Sequence, residues 1–222
     1  MRRIKIESLV DSRRIHLDES MGPDGVRRHD YALDGGPCPG VNQVLEDEGL
    51  KGPGSEFSHD EEAARRGQAV HKAVYLELAA GTLDPSTVHP IVRPYLDQAI
   101  GWADRNEIRV LAAELLVGYP APAWCGKLDL VVQMRNVPIP AVIDLKTTSP
   151  GGTVPGWARY QVRMYSLCIK EPTRCGMLHL DGSGKDVDVV WYEDRRDAGV
   201  VLAAATLWHT KRALYGAPRR MR

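Results

Sequence analysis

The chain predicts an α/β fold in which a central mixed β-sheet is flanked by helices, and three observations lead there. Apolar residues recur at helical spacing from about residue 58 to residue 80. Two apolar runs then stand on either side of a Pro-containing turn near Asn136 to Pro140, the pattern of a β-hairpin. Beyond them a helical stretch leads into a second hairpin, joined by Asp181-Gly182-Ser183-Gly184-Lys185, and a terminal helix. Helix, strand, hairpin, helix, hairpin and helix in that order build a sheet covered on its faces rather than a bundle or a sandwich.

Residues 1–57 read as an N-terminal extension of β-hairpin and loop, with residues 58–222 as the core. Ile4 and Ile6, then Ile15 and Leu17, alternate as strands do, and Gly22-Pro23-Asp24-Gly25 and Asp34-Gly35-Gly36-Pro37 are turn signals. Pro39 to Leu45 predicts a short helix. The acidic and then glycine-rich residues 46–57 form a loop and a candidate flap over a substrate.

Ser58-His59-Asp60-Glu61 has the spacing of a capping box, and Gly81 is the matching stop. Ala63, Gly67, Val70, Val74 and Leu78 make the inward stripe of this helix, and His71 borders it. A histidine there usually packs and hydrogen-bonds, but the helix-weakening glycine one turn before it needs a reason, such as close backbone approach. A second helical region is expected over residues 85–106, interrupted by Pro90 and Pro94, with Val88, Ile91, Tyr95, Ala99, Trp102 and Ala103 on one face. Residues 108–117 are strand-like. Glu114 stands among their apolar residues as either an edge residue or a member of an acidic cluster.

The central hairpin carries Asp129 on its first strand and Asp144 and Lys146 on its second. Strand alternation sends Asp144 and Lys146 to one face and Ile143 and Leu145 to the other. Charges within so apolar a strand are costly to bury unless paired or bound to a metal. Two carboxylates across a hairpin repel unless a cation lies between them, and hard oxygen ligands suit magnesium or manganese. A lysine two residues away can orient a water or stabilise charge on a phosphate. Taken alone, Asp-x-Lys is also what a surface ion pair on an edge strand leaves. Farther on, a helix from about Trp157 to Lys170 sets Gln161 and Tyr165 on one face, where both can hydrogen-bond a phosphate, sugar or base.

Lys plus Arg equals Asp plus Glu, at 29 each, so nucleic-acid binding would rest on local patches rather than on a global basic field. Arginine pairs at Arg2-Arg3, Arg13-Arg14, Arg27-Arg28 and Arg65-Arg66, and the tail from Arg219 to Arg222, offer such patches. No apolar run of about 18 residues marks a membrane span, and the basic start lacks a signal peptide's apolar core, so the expected setting is cytoplasmic. Cys38, Cys125, Cys168 and Cys175 form no C-x-x-C and read as reduced, individually buried thiols. There is no phosphate loop of Walker or Rossmann spacing, and no serine or cysteine triad assembles.

In the order Gly67-x-x-x-His71, Glu114, Gly126-x-x-Asp129, Asp144-Leu145-Lys146 and Gln161-x-x-x-Tyr165, these residues resemble the RecB-like branch of the PD-(D/E)XK nuclease superfamily, including phage-type exonucleases. The D/E position holds aspartate, as is common in RecB-like members. The resemblance implies a restriction-endonuclease-like core and a Mg²⁺- or Mn²⁺-dependent DNA exonuclease of phage-type recombination or repair. It implies that Asp129, Asp144 and the Leu145 carbonyl bind the metal, with His71 as a further ligand and Glu114 acting through water. Lys146 would position the attacking water, and Gln161 and Tyr165 would hold the DNA strand. DNA, a second copy of the chain and a single-strand annealing protein are the implied partners, in the host cytoplasm if the chain is phage-encoded. The cysteine spacing departs from the iron–sulfur pattern of some relatives, so no cluster is expected. A structure-specific endonuclease shares the same core. A non-catalytic DNA-binding module would too, although retention of Asp129, Asp144 and Lys146 argues against it.

Overall fold

A computed structural model describes residues 14–21, 27–51 and 61–216. Ile4, Ile6, the Gly22 to Gly25 turn, residues 52–57 of the candidate flap, the Ser58 to Asp60 part of the capping box and the arginine tail lie outside these. The architecture is the expected α/β one, a five-stranded mixed sheet flanked by helices, with a separate three-stranded sheet formed by the residues that precede them.

The small sheet is an antiparallel meander of β1 (Ile15–Met21), β2 (Arg27–Leu33) and β3 (Gly36–Cys38). Its second turn holds Asp34 and Gly35 at φ of 53° and 78°. Two-residue hairpin turns need that left-handed backbone, and Asp-Gly supplies it at little cost. Helix α1 (Val41–Asp47) follows and buries Val41, Val44 and Leu45. Helix α2 (Glu61–Val74) continues as a wider π-helical turn, Tyr75–Ala80, and stops at Gly81 with φ 61°. The expected stop is where the glycine placed it; the widening of the last turn has no signal in the sequence.

Helix α3 (Arg93–Arg105) begins later than the expected region, because residues 85–92 form a short 3₁₀ turn, Pro85–Thr87, and a further bend. Pro94 fits the first turn of α3, where its missing N–H leaves no bond unmade. Ile91, expected on the inner face, lies before the helix and is 51% exposed.

The main sheet is ordered β4 (Arg109–Pro120), β5 (Ala123–Gln133), β6 (Ala141–Thr147), β7 (Arg174–Leu180) and β8 (Val189–Trp191). Of these strands only β6 and β7 run parallel, and the crossover between them contains α4 (Ala158–Leu167). Helix α5 (Arg196–Tyr215) closes the chain. Val131, Val142 and Cys175 face α1, α4 and α5, while Leu130, Ile143, Leu145 and Leu178 face α2 and α3. The near-continuous apolar sequence of β6 follows from this burial on both sides, as a strand with a parallel neighbour requires. Among the described residues no helix is long and apolar enough to cross a membrane.

The four cysteines are buried and free. They are not individually isolated, however. Cys125 N–H donates to Pro39 O at 2.9 Å, joining β5 to the end of β3, and the Cys38 and Cys125 thiols are near enough to shift each other, Cys38 upward and Cys125 downward. Spacing in sequence could not anticipate a pair brought together by two different sheets.

Candidate active site

Strands β5 and β6 pair through Leu130 with Ile143, Val131 with Val142 and Val132 with Ala141. Continuing that register would set Asp129 against Asp144, and the ladder ends just short of it. Instead Leu145 N–H donates to Asp129 Oδ2 at 2.7 Å. The strands therefore part where two carboxylates would otherwise be pressed together. The second oxygen, Asp129 Oδ1, lies 3.3 Å from His71 Nδ1, which α2 brings in. Gly67, one turn before His71, has its place beside β6: a Cβ there would come within 3.2 Å of Thr147 Oγ1.

On the other side of β5, the pairs Ala113 with Leu130 and Leu115 with Leu128 place Glu114 opposite Asp129. Glu114 has φ of 51° in mid-strand. For a residue with a Cβ that backbone costs on the order of 1–3 kcal/mol, and such outliers concentrate at functional sites. Glu114 Oε2 meets Lys127 Nζ at 2.6 Å. Ligand atoms of His71, Glu114 and Asp129 all lie within 4.8 Å of one another. These atoms could hold a metal ion.

Asp144 is 3% exposed, and its Oδ2 lies 3.1 Å from Lys146 Nζ. Lys146 meets that oxygen as an ion pair, and no hydrogen bond of regular geometry satisfies it. Burial pushes the Asp144 carboxyl up to about 6, with Lys146 opposing the rise and Asp129 adding to it. At Asp129 burial also works upward, but His71 and the Leu145 N–H hold the carboxyl below its usual value. Burial disfavours the charged form of His71, yet Asp129 and then Asp144 raise it above its ordinary value. The two carboxylates are thus driven in opposite directions, a pattern that divides an acid pair between distinct roles. The carboxylates of Asp129 and Glu114 and the His71 imidazole make a donor set that suits a divalent cation preferring oxygen and nitrogen.

Helix α4 presents Gln161 and Tyr165 toward these groups. Gln161 Nε2 donates to the Tyr165 hydroxyl at 3.5 Å, and Gln161 Oε1 is buried without a partner. Burial first, and the nearby Asp144 charge second, raise the Tyr165 phenol well above its usual value. Gly126 makes room for this ring, since a Cβ there would stand 2.5 Å from Tyr165 Cε1.

The structure brings His71, Glu114, Asp129, Asp144, Leu145 and Lys146 together and sets Tyr165, with Gln161 bonded to it, near Asp144. Sequence reading missed Trp157, whose ring centroid is 5.6 Å from Lys146 Nζ and 5.0 Å from Lys51 Nζ. Its position four residues before Gln161 was a usable signal. It also missed His179, the β7 neighbour of Lys146, whose Nε2 is 2.7 Å from Thr148 Oγ1. Only the parallel register reveals that proximity.

No protein-family model matches the chain, and no curated protein sequence matches it. Among solved structures it is similar to a protein from Eubacterium rectale, named provisionally as an exonuclease. That likeness has 12% identity over 78% of this chain and 79% of the other, with a TM-score of 0.46. It is also similar to SSO0001, at 14% identity over 82% and 88% of the two chains and a TM-score of 0.36.

Proposed function

We propose that the chain is a divalent-metal-dependent DNA exonuclease of the RecB-like PD-(D/E)XK type, hydrolysing phosphodiester bonds in phage-type recombination or DNA repair. The observation that carries this reading is the meeting of Asp129, Asp144 and Lys146 with His71 and Glu114 where β5 and β6 part. Asp129, Asp144, His71 and the Leu145 carbonyl are the groups that would hold Mg²⁺ or Mn²⁺, with Glu114 joining through water. When bound, the ion supplies Lewis acidity toward a phosphoryl oxygen and lowers the pKa of water.

The protein's own groups do the rest. Lys146 donates toward the attacking water and the charge that gathers on the phosphate, from an ammonium held in place by Asp144. Leu145 N–H and His71 fix both oxygens of Asp129, so that carboxylate does not reorganise when substrate arrives. Gln161, with its unpartnered Oε1, and Tyr165 are placed to receive polar groups of the DNA strand.

The test is digestion of end-labelled linear DNA with Mg²⁺ or Mn²⁺ by the wild-type chain, Asp129→Ala and Lys146→Ala. The wild type is expected to degrade the label, and each variant to fall by roughly 10²–10³-fold, the loss typical of removing one preorganised group. Equal digestion by all three overturns the assignment. Closed circular DNA should remain intact, and its cleavage would point to an endonuclease with the same chemistry.

A further inference from the structure

We propose that Lys51 and Trp157 form a strand-holding subsite beside Lys146, gripping the nucleotide next to the scissile phosphodiester through its phosphate and base. The proposal deepens the nuclease reading and rests on it.

Lys51 follows α1 and is anchored by its backbone, whose N–H donates to Leu45 O at 2.9 Å. Its Nζ meets Glu46 Oε1 at 2.5 Å, yet the lysine side chain is 16% exposed and the glutamate 54%. A surface lysine ordinarily keeps its ammonium in water and buries only its stem. Here the side chain as a whole is largely covered, and its ammonium stands 5.0 Å from the centroid of the Trp157 ring. Lys146 Nζ is 5.6 Å from the same centroid. Each ammonium has one carboxylate partner, Glu46 for Lys51 and Asp144 for Lys146, and retains donors with which a phosphate can be met.

The ring itself has an unmet need. Trp157 Nε1 is buried without a hydrogen-bond partner, and an indole nitrogen can only donate. One helical turn along, Gln161 Oε1 is buried and unpartnered as well, on a side chain 5% exposed. A stranded donor and a stranded acceptor therefore lie on one face of α4, and a nucleotide carries both complements. Trp157 also stands at the N-terminal end of α4, whose dipole favours an anion. Both ammonium groups stand close to the one ring, so a strand laid over Trp157 would bring its phosphates near each of them.

Binding of a fluorescent linear duplex with a single-stranded tail, measured against salt with Ca²⁺ in place of Mg²⁺, tests this directly. Lys51→Gln should lower the slope of log affinity against log salt by roughly 0.7–0.9, the value of one lost phosphate contact, and Lys51→Arg should restore it. In digestion assays Lys51→Gln should raise KM severalfold while keeping kcat. Trp157→Ala should weaken binding by roughly 5–150-fold, as loss of a stacked base does, with Trp157→Phe retaining most of it and guarding against a folding defect. A Lys51→Gln variant with the wild-type slope and KM, in a chain that still digests DNA, overturns this subsite and leaves the nuclease reading standing. A wild-type chain that neither binds nor cuts DNA removes both.

Discussion

Asp144→Asn should make the metal-free protein more stable at pH 8, although it removes an ion-pair partner. The Asp144 carboxyl, 3% exposed, is pushed by burial from 3.8 to about 6. An acid that binds its proton more tightly when folded favours folding below its unfolded pKa and penalises it as pH rises through the folded value. The penalty therefore grows between pH 3.8 and about 6 and is complete at pH 8. Roughly two pKa units correspond to about 3 kcal/mol. Asparagine keeps the shape without the charge, and Lys146, left without its partner, still reaches solvent at 21% exposure. For a chain of this size 3 kcal/mol is a rise in Tm of roughly 6–12 °C. The assay is thermal unfolding of wild type and variant in EDTA. At pH 4.5 the gap should shrink to about a third, because the unfolded acid is by then regaining its proton. Adding Mg²⁺ or Mn²⁺ should then stabilise the wild type and close the gap. Equal Tm values at pH 8, or a gap of the same size at pH 4.5, would refute the claim that burial of a charge at Asp144 is what the site holds in reserve.

Two further predictions concern the scaffold. Gly126→Ala puts a methyl 2.5 Å from Tyr165 Cε1 and 3.3 Å from Val41 Cγ2. It should cost about 1–3 kcal/mol in urea unfolding, as overpacking does, with nuclease activity falling as Tyr165 is displaced. Gln98→Ala should cost a similar amount, about 1–3 kcal/mol by the same measurement. Gln98 is 5% exposed; its Oε1 accepts from Asp181 N and Gly182 N, and its Nε2 donates to Asp181 Oδ1 and Lys185 O. Amide exchange in residues 181–185 should quicken, and an unchanged exchange pattern would show that the loop holds itself.

What is legible in the sequence is whatever local periodicity and turn chemistry control. Alternation puts Asp144 and Lys146 on one face of β6, the turn residues mark the central hairpin, and glycine marks the end of α2. Gly67 stands out as a cost needing a reason, and its approach to Thr147 supplies one. What cannot be read depends on partners distant in sequence. The role of Glu114 stays open because nothing in an apolar run announces a left-handed backbone. Lys51 carries no local signal at all, since its meaning lies in Trp157. The Cys38 and Cys125 pair and the neighbouring of His179 with Lys146 likewise exist only after strands from different parts of the chain have come into register.

The same distinction explains where the site is. A ladder that continued one more pair would satisfy the backbone groups of Asp129 and Asp144 and force their carboxylates into contact. The chain ends the ladder at Leu130 and Ile143 and satisfies Leu145 N–H with the Asp129 side chain instead. That exchange fixes one carboxylate and leaves the other buried with an oxygen that no donor squarely meets. Regular sheet supplies the rigid frame on both sides, and the functional chemistry is concentrated at the single place where the regular bonding stops. A substitution that let the ladder continue would therefore be expected to stabilise the sheet at the expense of the site.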